Sequence, residues 1–137
     1  MVNVTVSPSG AIVGMTQQPN RLFRSMNDGV TWQTLSFVAS ETPQRFGFSN
    51  SNKLFVGTQN TVFVSTDFGN SWRQTGTAFT NKNIAAIGST NEHLFAAVPA
   101  EGLYRSFNGI SWARVNVGLT SLDIRSIAGL GGRTFAA

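Results

Sequence analysis

Apolar residues in this chain arrive in short clusters, and polar, glycine-containing stretches separate them. Val4 to Val6, Ala11 to Gly14 and Leu22 to Arg24 open the series, and similar clusters recur to the last residues. They are rich in Val, Ile, Phe and Thr and bounded by Gly, Asn, Ser or Pro, the pattern of short strands joined by tight turns. No window sustains the stripe of an amphipathic helix, so helical bundles and helical solenoids are excluded.

The clusters recur in register. Trp32, Trp72 and Trp112 lie 40 residues apart. Leu22-Phe23-Arg24, Val62-Phe63-Val64 and Leu103-Tyr104-Arg105 precede them, each an aromatic between strand formers. Further upstream, Ala11-Ile12-Val13-Gly14, Leu54-Phe55-Val56-Gly57, Leu94-Phe95-Ala96-Ala97 and Thr134-Phe135-Ala136-Ala137 align. Before those come Val4 to Val6, Phe46 to Phe48, Ile84 to Ile87 and Ile124 to Ile127. Repeats of about 40 residues with four strands each have the arithmetic of β-propeller blades. The expected fold is therefore all-β, a propeller of four-stranded antiparallel blades over 2–36, 37–77 and 78–116, with a half-blade over 117–137. Fourteen runs make about three and a half blades, an incomplete ring.

One phrase separates the third run from the fourth in each unit. Its copies comprise Ser25, Asn27, Gly29, Thr31 and Trp32; Ser65, Asp67, Gly69, Ser71 and Trp72; and, one residue shorter, Ser106, Asn108, Gly109, Ser111 and Trp112. A hairpin turn is required there. Asp or Asn accepts hydrogen bonds from its own turn, Gly supplies a positive φ, and Trp offers a large apolar face to bury. The phrase resembles the Asp-box, or bacterial neuraminidase repeat, Ser-x-Asp-x-Gly-x-Thr/Ser-Trp. That resemblance implies a sialidase-like or photosystem II stability factor-like propeller, in which these residues staple the blade periphery, away from the axial face where ligands usually bind.

Composition narrows the chemistry. Charged residues make up only 12%, about half the usual share, which argues against coiled coils and charged disordered tails. The lack of Cys removes disulfides, thiolate metal sites and thiol nucleophiles. A net charge of +4 comes from scattered basic residues, so a nucleic-acid groove is not expected. No apolar run reaches the roughly 18 residues of a membrane span, and the first residues lack a signal-peptide pattern.

Catalysis finds little support. A sialidase needs a Tyr nucleophile, and Tyr104, the only Tyr, shares its repeat slot with Phe23 and Phe63, so its hydroxyl is expected to be incidental. Glycoside hydrolysis needs two carboxyls roughly 5–10 Å apart. Asp28 and Asp67 belong to the turns, and Glu41, Glu92, Glu101 and Asp123 to loops. Among them Glu92 and Asp123 are the pair that could approach across neighbouring blades. His93 aligns with Lys53 and Arg133, as a solvent-facing strand end would. No catalytic residue, metal ligand or cofactor is expected.

Binding residues are sought where the repeat breaks, at 17–20, 39–44, 78–83 and 117–123, because variable loops carry function. Phe37 and Phe79 would serve there as stacking platforms or, as expected, pack between blades. Arg24, Arg105, Arg73 and Arg114 read as solvated edge charges. The chain reads as a noncatalytic binding or scaffolding module with a protein or glycan partner, in a secreted or virion-surface setting. A piece of a larger glycosidase and a photosystem II assembly-like factor are the alternatives. Further blades, from a longer chain or an oligomer, are expected to cover its open faces.

Overall fold

A computed structural model describes residues 3–38, 40–130 and 133–137. Three consecutive four-stranded sheets each follow the simple order of their strands, and a two-stranded sheet comes last. Sheet one holds β1 (Asn3–Val6), β2 (Ile12–Thr16), β3 (Arg21–Ser25) and β4 (Gln33–Thr34). Sheet two holds β5 (Arg45–Phe48), β6 (Leu54–Gly57), β7 (Val62–Ser65) and β8 (Arg73–Gln74). Sheet three holds β9 (Ala86–Ser89), β10 (Leu94–Val98), β11 (Gly102–Ser106) and β12 (Ala113–Arg114), and β13 (Ile127–Leu130) pairs with β14 (Arg133–Ala136). Every pairing is antiparallel. This is the propeller expected from the repeat, with sheets as blades.

Register decides which side chains meet between blades. Paired residues point to one face of a sheet, and alternate residues to the other. Val13, Met15 and Leu22 therefore leave sheet one on the face that meets Phe48, Leu54 and Val56 of sheet two. Phe55, Val62 and Val64, on the opposite face of sheet two, meet Leu94, Ala96 and Tyr104. Phe95, Ala97 and Leu103 then meet Ile124 and Ile127. The core is thus a series of seams, and contacts run between successive inner strands β1, β5, β9 and β13.

Glycine sets how closely inner strands approach. A Cβ on Gly129 would lie 1.7 Å from the Ser89 carbonyl oxygen, a distance no side chain tolerates.

The inner strands of the later units start later than the apolar runs predict. β9 begins at Ala86 and β13 at Ile127, not at Ile84 and Ile124. Both isoleucines are buried in the preceding connection. Ile84 fills the space above Gly57, where a Cβ would come within 2.8 Å of it, so packing takes these residues out of the ladder. The outer strands β4, β8 and β12 are two residues long, exposed and, apart from Ala113, polar, which blunts each sheet edge.

Candidate functional site

Strand order gives each blade two chemically different ends. The hairpins β1–β2, β5–β6 and β9–β10 share one end with the Trp-ended turns. The connections from blade to blade share the other end with the hairpins β2–β3, β6–β7 and β10–β11.

At the turn end the repeated phrase closes on itself. Ser65 Oγ donates to Asp67 Oδ1 at 2.7 Å and accepts the Gly69 N–H at 2.7 Å, while Asp67 accepts from the Ser71 backbone at 2.9 Å and its hydroxyl at 2.5 Å. Those bonds, the Ser71 hydroxyl first, hold the Asp67 carboxyl down at about 2. Asn27 makes the same contacts to Ser25 and Thr31. In the shorter turn, Asn108 accepts from Ile110 and Ser111. Phe68 and Gly69 both have positive φ, 56° and 94°, and a Cβ on Gly69 would come 2.5 Å from Leu35. Glycine serves both the turn and the seam there.

The Trp residues do not share one environment. Trp72 packs edge-on against Phe37 at 5.0 Å and donates its indole N–H to the Ser36 carbonyl. Trp112 packs edge-on against Phe79 at 4.9 Å. In both cases the partner is the connection entering the same blade. Phe79 is fully buried and Phe37 half-buried, as expected of inter-blade packing. Among the described residues Trp32 bonds only to Gly29 of its own turn, and it is 48% exposed.

Several single-residue expectations change. Arg24 is not a solvated edge charge: it is buried, donating to the Asp67 and Phe68 carbonyls of the next blade's turn and to Gln33 Oε1. Those carbonyls point into the seam because the turn backbone has left extended geometry, and a guanidinium satisfies them. Arg114 is not a free edge charge either, since it bonds Glu101 at 2.6 Å. The Tyr104 hydroxyl is not incidental. It donates to Glu101 at 2.5 Å and accepts from Lys82 and Arg114. Lys82 comes from the incoming connection and bonds Glu101 at 2.8 Å, so the cluster ties that connection to its blade. Lys82 first, then Tyr104, pull the Glu101 carboxyl down to about 2.

The proposed acid pair is not assembled. Glu92 lies in the β9–β10 hairpin at the turn end, whereas Asp123 lies in a connection at the other end. His93 is half-buried, with its ring 4.2 Å from that of Phe107, so the solvent-facing reading is corrected by that stacking. Among the described residues, no three His, Asp or Glu converge to hold a metal, and no helix is long and apolar enough to cross a membrane.

The connection end carries an open cleft of about 280 Å³ lined by Arg45, Asn83, Ala85, Pro99, Asp123 and Arg125. Arg45 opens β5, and its Nε donates to the Ala85 carbonyl at 2.6 Å. Arg125 is held by Asp123 at 2.8 Å, which raises its already high pKa. Two guanidiniums against one carboxylate leave the cleft net positive. Asn83 and Asp123 fall in segments singled out by the broken repeat; Arg45 and Arg125 do not. Their shared repeat slot, 80 residues apart, was the available signal.

Comparison with known proteins places this architecture among the β-propellers. YCF48 from Cyanidioschyzon merolae is similar over 98% of this chain and 46% of its own, with a TM-score of 0.77 at 16% identity. YCF48 bound to a D1 peptide gives 0.78 at 17%, over 98% of this chain and 46% of that one. Virginiamycin B lyase from Staphylococcus aureus, in a catalytically inactive form with quinupristin, gives 0.77 at 16%, over 98% and 47%. The GH74 enzyme of Niastella koreensis gives 0.72 at 15%, over 90% and 23%. The chain spans less than half the length of each of these structures. No protein-family model and no curated protein matches it.

Proposed function

We propose that this chain is a noncatalytic propeller module that binds an extended protein segment at its connection end. The observation that carries the reading is the net-positive cleft between Arg45 and Arg125. Arg125 commits Nε and Nη2 to Asp123, and Arg45 commits Nε and Nη1 to the Ala85 and Gln44 carbonyls, so their remaining Nη donors, on exposed side chains, are what charge-assisted bonds to a carboxylate would use. A carboxylate-bearing peptide is the ligand such a cleft accepts. The similar fold of YCF48, solved with a D1 peptide, supports a protein partner. Assignment as an assembly factor or as part of a larger glycosidase would need features beyond this cleft.

The test uses a fluorescein-labelled acidic peptide with a free C-terminal carboxylate and its amidated twin. Fluorescence anisotropy is expected to show salt-sensitive binding of the free acid, weakened about tenfold by Arg45→Ala. Equal binding of both peptides, or no effect of Arg45→Ala, overturns the cleft assignment. Hydrolysis of a fluorogenic sialoside or glucoside by the purified chain overturns the noncatalytic reading.

A further inference from the structure

The repeat is broken most sharply at the turn end of blade three, and the departures meet at one place. Where the first two turns carry Met26 and Thr66 after the leading serine, the third carries Phe107, and that turn is one residue shorter. Phe107 is 72% exposed, as Met26 is in the equivalent slot of the first turn at 60%, but it alone of the three offers an aromatic ring there. His93, the only histidine, stands against it with ring centroids 4.2 Å apart. Lys53 occupies the corresponding slot one blade earlier.

These residues border a concave site between the β5–β6 and β9–β10 hairpins, with a volume of about 110 Å³. That holds about three or four waters, the space of one hydroxyl-bearing edge of a sugar ring. Its polar wall is built from both blades. Asn50 donates an amide N–H to Asn91 Oδ1 across the seam, which leaves the Asn50 carbonyl and the Asn91 amino group for a ligand. The side chains of Lys53, Glu92 and His93 make no hydrogen bond or ion pair among the described residues. Donors and acceptors of both kinds thus face one hollow beside an aromatic ring.

We infer that this hollow is a saccharide subsite, taking a neutral hexopyranose unit of a glycan. A C–H edge of the pyranose lies against the part of Phe107 that His93 and Arg105 leave exposed, and its vicinal hydroxyls exchange bonds with Asn50, Asn91, Glu92 and Lys53. A mostly polar wall beside one exposed ring suits a ligand that presents many hydroxyls, with the polar groups fixing its orientation. A simple anion fits less well, because Glu92 would repel it. The site stands at the opposite end of the blades from the arginine cleft, so neither assignment depends on the other.

The test is an amide-resolved NMR titration of the full 15N-labelled chain with methyl glycosides of glucose, galactose, mannose and N-acetylglucosamine. At least one is expected to shift amides of 49–53, 90–94 and 107 together, with millimolar affinity typical of a single sugar unit. Phe107→Ala should weaken that binding about tenfold while Phe107→Tyr preserves it. Because Phe107 is exposed, both variants should keep the dispersed spectrum of the parent, which serves as the folding check. No shift at these amides with any of the four sugars, or equal binding by Phe107→Ala, overturns the assignment.

Discussion

Trp32 and Trp72 end the same turn in successive blades and are held very differently. Their turns share the same hydrogen bonds, with Asn27 standing in for Asp67. Yet Trp72 is clamped on Phe37 and Ser36, while among the described residues Trp32 has no such partner and stays half-exposed. The turn therefore presents the indole, and the connection ahead of the blade binds it. The repeated phrase is one half of a joint whose other half is an aromatic lying more than 30 residues upstream.

That comparison can be attacked from the connection side first. Phe79→Ala empties a fully buried site shared by Tyr104 and Trp112, and urea unfolding should show a loss of about 3–5 kcal/mol. Trp72→Ala should cost about 2–3 kcal/mol, below the fully buried range because the ring is half-buried. The same change at Trp32 should stay within about 1 kcal/mol. Equal losses at the two positions would show that the turn itself holds the indole.

Arg24 and Arg105 extend the contrast to a second slot. Arg24→Ala strips partners from two carbonyls in the seam and should cost about 2 kcal/mol. Arg105 is exposed over the Phe107 ring, and Arg105→Ala should change stability by less than about 0.5 kcal/mol.

A comparably small effect is electrostatic. Asp67 and Glu101 are held near 2, below their ordinary values of 3.8 and 4.5. Carboxyls depressed on folding stabilise above their unfolded values, and that stability is lost as pH falls through the folded ones. Acid unfolding should therefore steepen between about pH 4.5 and 2. Asp67→Asn, which copies the first turn, should flatten that limb and cost about 1 kcal/mol or less at neutral pH.

Strand positions were legible because hydrophobic alternation and turn residues repeat three times over, each copy correcting the others. Ile84 and Ile124 were misassigned to strands because an apolar run cannot tell pairing in a ladder from plugging a seam. Arg24 was unreadable for a related reason. It shares its slot with the exposed Arg105, and what buries it is the carbonyl geometry of a turn some 43 residues later. Tyr104 likewise takes its role from Lys82, supplied by another segment. At the candidate sites, the broken repeat pointed to Asn83 and Asp123, and the sequence also held Arg45 and Phe107 by slot and by departure from the repeat, but only setting the hairpins side by side shows what each of them lines.

The pairing of Trp72 and Trp112 with the connections entering their blades also governs how the blades open. Coupling passes only between adjacent blades, so opening obeys nearest-neighbour statistics. Among the described residues the Trp32 indole has no such clamp, so the amide hydrogens of β3 and β4 should exchange before those of β7 and β8. Protection measured by hydrogen exchange would then differ between equivalent strands of blades one and two rather than report a single global unfolding.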